Sequence, residues 1–209
     1  MPRDLIIIGA SGHGKVVADI ARQMMKNGQR QYATICFLDD DETKESCGAY
    51  PVIGTTVDME EHLGADFFVA IGDAEIREKM ANRLEVLHAV VPVLIHPQAI
   101  IGENVSIGEG AVVAGGTVIN PETVIGKYCI VNTGATVDHD CMLGDYVHVA
   151  PGAHICGGVH VGDYTWIGAG AIVVQNVSIS KKCMVGAGAV VVNDIIAYGT
   201  YVGSPAKRK

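Results

Sequence analysis

Residues 95–202 read, when divided into sixes, IHPQAI IGENVS IGEGAV VAGGTV INPETV IGKYCI VNTGAT VDHDCM LGDYVH VAPGAH ICGGVH VGDYTW IGAGAI VVQNVS ISKKCM VGAGAV VVNDII AYGTYV. The first position is Ile, Val or Leu in every unit but the last. The fifth position is Ala, Val, Thr or Cys in all units except those with Ile195 and Tyr201. No insertion breaks the register over half of the chain. A short period held this long predicts a solenoid, and a six-residue period predicts a β-helix.

The two restricted positions are those that a narrow coil must bury. A branched aliphatic residue every six residues fills the axis, and the small fifth residue points inward at a corner, where a large one does not fit. The pattern resembles the left-handed parallel β-helix of the hexapeptide-repeat acyltransferases. Three units make one turn in that family, so the resemblance implies six turns. We therefore expect residues 95–209 to form an all-β domain with a C-terminal tail.

Residues 1–94 follow a different pattern, in which short apolar runs alternate with helical periodicity. The apolar runs predict buried strands at 4–9, 34–38 and 66–71. Helices are expected after the first and the third of these strands. Strands that alternate with helices indicate a small parallel sheet, so this part of the chain is predicted to be a Rossmann-like α/β domain.

Three polar clusters follow the predicted strands: Gly9–Gly14, Asp39-Asp40 and Gly72-Asp73. Ligands bind where the carboxyl ends of parallel strands meet, and a Gly-rich loop that opens a helix favours a phosphate. An Asp after the second strand suits a ribose or a base edge. The glycine spacing is Gly-x-x-Gly-x-Gly rather than Gly-x-Gly-x-x-Gly, which argues against NAD. The simpler alternative is a turn that only packs the helix on the strand.

Three motifs make a resemblance specific: IGASGHGKVV at 8–17, FLDD at 37–40 and AIGDAEIR at 70–77. They resemble the nucleotide-sugar N-acetyltransferases that make diamino-sugars, and the sialic acid O-acetyltransferases are similar. The resemblance continues to VGSPAK at 202–207 and implies that the N-terminal domain holds the UDP part of a UDP-amino-sugar. The residues that it selects are Ser11, Gly12, His13, Asp39, Asp40 and Asp73, the last at a position where the family often has Asn.

The repeat contains five of the eight histidines, and none of these five is at a first or fifth position. His139 is the one at a third position, between Asp138 and Asp140. Acetyl transfer from a thioester to an amine needs a base near pKa 7, and a neighbouring carboxylate orients the imidazole. His139 is therefore predicted to be the general base, and the resemblance supports this because the family has His followed by Glu here. Asp140 is predicted to orient the ring, with Asp138 as the alternative.

The resemblance also implies a site for acetyl-CoA as co-substrate. The residues that it selects are Asn132, His148, Gly157, Ala169 and Gly186. His148 matches a histidine near the thioester, and the backbone amide of Gly157 would hold the thioester oxygen as it becomes negative. His154 and His160 follow at six-residue intervals, so we expect them on two other faces with structural or interface roles.

Composition excludes several classes of protein. The net charge of −8 and the lack of basic blocks argue against nucleic acid, and no run approaches the roughly 18 apolar residues of a membrane span. The start of the sequence shows no signal peptide, and three of the six cysteines are small fillers in the repeat, so a cytoplasmic location is expected. The histidine spacings of 9, 6 and 6 differ from those of the β-helix carbonic anhydrases, and no metal is expected.

The predicted function is acetyl-CoA-dependent N-acetylation of a UDP-4-amino-sugar by direct attack of the amine on the thioester. The alternatives are O-acetylation of sialic acid or another sugar, and N-acetylation of a GDP- or dTDP-amino-sugar. A non-catalytic nucleotide-binding scaffold would leave His139 and Asp140 without a purpose. The family forms trimers along the coil axis, and outward apolar residues such as Val112, Val118 and Val124 would be better covered, so a homotrimer is expected.

Overall fold

The computed structural model describes residues 2–209, and its contacts divide the chain into two compact units, one that ends at Pro97 and one formed by Gln98–Lys209. The first unit is an α/β domain around a parallel sheet, and the second is a parallel β-helix. The predicted fold class is confirmed. Within the described residues, no helix has the length and apolar character needed to cross a membrane.

The first unit is built on a three-stranded parallel sheet in which Arg3–Ile8 lies between Tyr32–Leu38 and Asp66–Val69. Its elements are β1 (Arg3–Ile8), α1 (Gly12–Lys26), β2 (Tyr32–Leu38), β3 (Ser46–Cys47), β4 (Tyr50–Pro51), a 3-10 helix (Thr56–His62), β5 (Asp66–Val69), α2 (Ala74–Val86) and β6 (Leu94–Ile95). Residues 5–8 are almost completely buried because β1 is covered on both faces. The hairpin of β3 and β4 was not predicted.

The second unit has three faces, which we call I, II and III. Face I contains Val112–Val113, Ile130–Val131, His148–Val149, Trp166–Ile167, Cys183–Val185, Gly199–Val202 and the antiparallel Lys207–Arg208. Face II contains Ile100–Ile101, Val118–Ile119, Thr136–Val137, His154–Ile155, Ile172–Val173 and Val190–Val191. Face III contains Ser106–Ile107, Val124–Ile125, Met142–Leu143, His160–Val161 and Ser178–Ile179.

Each repeating strand pairs in parallel with the strand 18 residues further on, as Ile130 does with His148. Three units therefore make one turn, and face II shows six turns. The inward rows are those predicted: Val131 and Val137 at first positions and Ala135 and Cys141 at fifth positions are fully buried. Branched side chains fill the axis of the coil, and small ones fill its corners.

The three faces meet at edges that recur every 18 residues. Edge I/II includes residues 132–135, edge II/III includes 138–141, and edge III/I includes 144–147. Residues 18 apart in sequence therefore lie directly above one another on the same edge. This register decides which site residues can meet within one chain.

Edge III/I carries a stack of tyrosines that the sequence analysis missed. The ring centroids of Tyr128 and Tyr146 are 5.4 Å apart, those of Tyr146 and Tyr164 are 5.3 Å apart, and both pairs are nearly parallel. The ammonium group of Lys182 lies 5.1 Å from the centroid of Tyr164. Aromatic and cation–π contacts thus join successive turns along this edge.

The outward apolar residues differ from one another in exposure. Val112 is already buried within the single chain, and Val118 is half-buried. Two of the three residues are therefore wholly or partly shielded from solvent without a second chain. Val124, on face III, is 41% exposed. The apolar surface that remains open is therefore smaller than the sequence pattern indicates.

Candidate active site

His139 lies on edge II/III, and 60% of its side chain is exposed. Its Nδ1 is 2.6 Å from Oδ2 of Asp140. Asp140 adopts a left-handed backbone conformation, with φ of 57°, which Asp tolerates better than most residues. When Nδ1–H donates to this carboxylate, Nε2 is the nitrogen that can accept a proton.

Asp138 contacts the turn rather than the ring. Its Oδ1 accepts hydrogen bonds from Nδ2 of Asn120 at 2.7 Å and from the backbone N–H of His139 at 2.9 Å. The hydrogen bond to Asp140 and then the charge of Asp138 raise the pKa of His139. The geometry therefore gives Asp140 the orienting contact, and Asn120, which the sequence analysis missed, holds Asp138.

Gly157 lies one turn beyond His139 on the same edge and is buried. A β-carbon there would stand 2.7 Å from both Cε1 and Nε2 of the imidazole. The next residue, Gly158, donates its backbone N–H to the carbonyl of His139 at 2.9 Å. The bare backbone at Gly157 thus makes room for the imidazole of His139.

The remaining residues of the predicted acetyl-CoA site lie along edge I/II or beside it. Nδ2 of Asn132 is 3.4 Å from Nε2 of His148, and the ring centroid of His148 is 4.1 Å from that of Trp166. His148 points outward on face I, as predicted, yet it is only 7% exposed. Ala169 and Gly186 follow on edge I/II at later turns, Ala169 exposed and Gly186 half-buried.

The predicted site residues of the coil therefore form two groups on different edges. His139, Asp140 and Gly157 belong to edge II/III. Asn132, Ala169 and Gly186 belong to edge I/II. A single chain does not bring the two groups together. His154 and His160 lie on faces II and III, as expected from their spacing.

The Gly-rich loop joins β1 to the start of α1. Helix α1 begins at Gly12, with Ser11 at its N-cap, so the first-turn amides and the helix dipole favour an anion there. A β-carbon at Gly14 would collide with the carbonyl oxygen of Gly9, whereas one at Gly12 would meet no described atom within 4 Å. Gly14 is therefore needed for the fold, and Gly12 leaves open space beside the loop.

His13 in the same loop is half-buried, and its pKa is lowered to about 4 by burial and then by the charge of Arg77. Arg77 is almost completely buried, and its Nη1 donates to the carbonyls of Ile71 and Gly72 at 2.8 Å. His13 is thus neutral at neutral pH. Arg77, to which the sequence analysis gave no role, supports the turn after β5.

The three acidic residues of the predicted nucleotide site differ in their contacts. Asp39 accepts hydrogen bonds from Ala10 and Lys44, and Asp40 accepts one from the N–H of Thr56 at 2.8 Å. Asp73 is the N-cap of α2, because its Oδ1 accepts from the second and third N–H groups that follow it. All three therefore contribute to the structure of the edge where the strands end.

Residues 2–209 contain no group of three or more His, Cys, Asp or Glu side chains arranged to hold a metal ion. The arrangement on edge II/III is instead that of a base with its carboxylate. Such a pair can take a proton from an attacking nucleophile without a metal.

Comparisons with known proteins cover both units. Residues 4–84 match the model of the PglD N-terminal domain, and residues 122–157 match that of the bacterial transferase hexapeptide (six repeats). The chain is 34% identical over 115 residues to UDP-N-acetylbacillosamine N-acetyltransferase of Bacillus subtilis, a match that covers 53% of this chain and 51% of that protein. The chain spans about half the length of the curated relatives it matches.

Two solved structures match over nearly the whole chain. The acetyltransferase domain of PglB from Neisseria gonorrhoeae is 42% identical with a TM-score of 0.94, over 99% of this chain and 100% of that one, and it is also known in complex with acetyl coenzyme A. PerB from Caulobacter crescentus, in complex with CoA and GDP-perosamine, is 36% identical with a TM-score of 0.91, over 99% of this chain and 97% of that one. On this evidence the chain belongs to the hexapeptide-repeat sugar N-acetyltransferases with a PglD-type N-terminal domain.

Proposed function

We propose that this chain transfers the acetyl group of acetyl-CoA to the amino group of a UDP-4-amino-sugar. The observation that carries the proposal is the 2.6 Å contact between Nδ1 of His139 and Oδ2 of Asp140, with a bare glycine backbone beside the ring. The complex of the PglB domain with acetyl coenzyme A supports the donor, and the B. subtilis relative supports a UDP-linked acceptor. A GDP-linked amino-sugar is the second candidate because PerB binds GDP-perosamine.

The proposed reaction is a direct acyl transfer. The sugar nitrogen attacks the thioester carbon, and Nε2 of His139 takes the proton that the nitrogen loses as the C–N bond forms. The backbone amide of Gly157 donates to the carbonyl oxygen while it carries negative charge. The C–S bond then breaks, and the proton passes from His139 to the departing CoA sulfur, which restores the neutral imidazole.

We further propose that the working form is a homotrimer with one site at each junction of neighbouring chains. The separation of His139 and Asn132 on different edges of one chain supports this, because edge II/III of one copy would face edge I/II of the next. Contacts between two different surfaces close into a ring only when the rotation between neighbouring copies allows it, and the rotation that we propose is threefold.

Two measurements test the assembly. Light scattering should give three times the chain mass of 21.9 kDa. Mixed trimers of His139→Ala and Asn132→Ala chains should regain activity, since some junctions would join an intact His139 to an intact Asn132. A fully active monomer, or no recovery in mixtures that exchange subunits, would contradict a shared site.

The acceptor is tested by following release of the CoA thiol with the purified full chain. UDP-, GDP- and dTDP-linked 4-amino-sugars and free sialic acid are offered in parallel, with His139→Ala as the blank. We expect the highest kcat/KM with the UDP-linked amine. A preference for the GDP-linked amine would select the second candidate, and reaction with sialic acid alone would overturn N-acetylation.

A further inference from the structure

The carboxylate of Asp39 is fully engaged by donors of its own chain. Oδ2 accepts from the N–H of Ala10 at 2.6 Å, and Oδ1 accepts from the N–H of Asp41 at 3.0 Å. Nζ of Lys44 lies 3.0 Å from each oxygen. A carboxylate has about four lone-pair sites, and these four contacts occupy them. A ribose hydroxyl or a base N–H would have to displace one of these donors to bind Asp39.

The ion pair with Lys44 is partly protected from water. The side chain of Asp39 is 13% exposed and that of Lys44 is 32% exposed. Burial would raise the pKa of Asp39, but the hydrogen bonds from Asp41, Lys44 and Ala10 outweigh it and hold the pKa below its usual value. Charge-assisted hydrogen bonds in such a place are stronger than those of an exposed pair.

The same contacts tie two segments of the nucleotide site to each other. Ala10 belongs to the Gly-rich loop, and Lys44 belongs to the segment that leads from β2 into the hairpin of β3 and β4. Further along this segment, Sγ of Cys47 lies 3.6 Å from the carbonyl oxygen of Ser11. Asp39 therefore stands between the loop and the hairpin segment and joins them through Lys44.

Asp40 has the opposite character. It is exposed, and its Oδ1 accepts from Thr56, whereas its Oδ2 makes no hydrogen bond within residues 2–209. Asp40 therefore retains an acceptor for a ligand, whereas Asp39 does not.

We propose that Lys44 is a positioning residue of the acceptor site: it acts through Asp39 to hold the Gly-rich loop in place for the nucleotide, and the contact with the nucleoside falls to Asp40. This inference rests on the proposed function, since it concerns the same nucleotide site. Lys44 thus orients Asp39, and Asp39 holds the N–H of Ala10 instead of contacting the ligand. A Lys44 that binds the phosphates directly is the rival account.

A double-mutant cycle separates the two accounts. The dissociation constants of UDP and GDP for the full chain are measured by calorimetry for wild type, Lys44→Met, Asp39→Asn and the double variant. Because loss of a charged hydrogen bond is involved, we expect each single variant to bind the better nucleotide about tenfold more weakly. If Lys44 acts through Asp39, the double variant is also weakened about tenfold, whereas independent contacts give about a hundredfold loss.

The controls keep folding and function apart from this role. Lys44→Arg restores the charge and should recover most of the affinity, and Lys26→Ala, an equal change of charge at the far end of α1, should bind as wild type does. At saturating sugar, kcat and the KM for acetyl-CoA should be unchanged in Lys44→Met. Unchanged affinity in Lys44→Met, or additive losses in the cycle, would overturn the positioning role alone. A wild-type chain that binds neither nucleotide would overturn the proposed function along with it.

Discussion

The imidazole of His139 occupies the space that a side chain at Gly157 would need, since a β-carbon at Gly157 would stand 2.7 Å from Nε2. We expect Gly157→Ala to turn the ring away from Asp140 and to lower kcat about 10- to 100-fold, because a shift of about 1 Å at a reacting group has that effect. Thermal stability should change little, since the ring is exposed and can move. Steady-state kinetics and a melting curve measure the two quantities.

The matched control for this substitution is Gly162→Ala. Its β-carbon would stand 2.5 Å from the backbone nitrogen of Lys181, which cannot move as a side chain does. We expect Gly162→Ala to lower the melting temperature far more than Gly157→Ala does. Equal destabilisation of both variants with an unchanged kcat for Gly157→Ala would show that Gly157 serves the fold alone.

Removal of the proposed base should affect turnover and leave donor binding intact. His139→Ala is expected to lower kcat by about 10²- to 10⁴-fold, with the dissociation constant of acetyl-CoA close to that of wild type. His154→Ala, on face II of the same coil, is the control and should keep its activity. Near-normal turnover of His139→Ala would move the role of base to another group, with His148 as the next candidate.

The pH dependence should report the contact between His139 and Asp140. The neutral imidazole is the active form, so kcat falls as the pH drops through the pKa of His139. The hydrogen bond from Asp140 is the largest cause that raises this pKa. Asp140→Asn should therefore move the acidic limb of the pH–rate profile to lower pH, while the plateau falls less than in His139→Ala. A limb that stays in place would mean that it titrates a different group.

The Gly-rich loop offers a test of nucleotide binding that spares the fold. Gly12→Leu should block the approach of the phosphates and raise the KM for the nucleotide-sugar. The fold should be spared, because a β-carbon at Gly12 has open space and α1 can form as before. The KM for acetyl-CoA should stay constant. Gly64→Leu, equally open and located before β5, is the control. A fall in apparent kcat and in melting temperature, with both KM values unchanged, would point to unfolding rather than to a blocked site.

The tyrosine stack should stabilise the coil. Tyr146→Ala removes a ring held between two others and should lower the free energy of unfolding by about 1–3 kcal/mol. Tyr146→Phe keeps the stack and should cost much less. Tyr198→Ala, at a side chain that is 72% exposed, is the comparison in urea titrations. If Tyr146→Ala and Tyr198→Ala lose the same amount, the stacking contributes nothing of its own.

The inward rows of the β-helix were predictable because burial at Val131 and Ala135 depends only on position within a six-residue unit. The tyrosine stack depends on neighbours 18 residues apart, so the repeated Gly-Lys-Tyr and Gly-Asp-Tyr at 126–128 and 144–146 indicate it only when successive turns are aligned. His148 was correctly placed outside the coil, yet packing against Trp166 buries it. The period of a repeat predicts whether a side chain points into the coil or out of it, whereas the burial of an outward side chain also depends on what covers the outer face.

The candidate site, like the fold, was predictable only in part. The pairing of His139 with a neighbouring Asp follows from the sequence, but the choice of Asp140 over Asp138 depends on the turn, where Asn120 holds Asp138. The clasp of Asp39 and Lys44 was missed because nothing in the sequence tells whether carboxylate oxygens face the chain or a ligand. Side-chain direction at a strand end is set by hydrogen bonds that only the folded loop provides.

The 18-residue turn also limits how such a chain can change in length. A deletion of one residue within a strand of the coil would reverse the direction of the side chains beyond it and bring polar residues to the axis, because successive side chains of a strand point to opposite sides. Inserted residues are compatible with this geometry when they form a loop that begins and ends at the same edge, or when they add a whole turn. We therefore expect insertions during evolution to have preserved the alignment of His139 with the residues 18 positions before and after it. Homologous coils should differ in loops at their edges or in their number of complete turns.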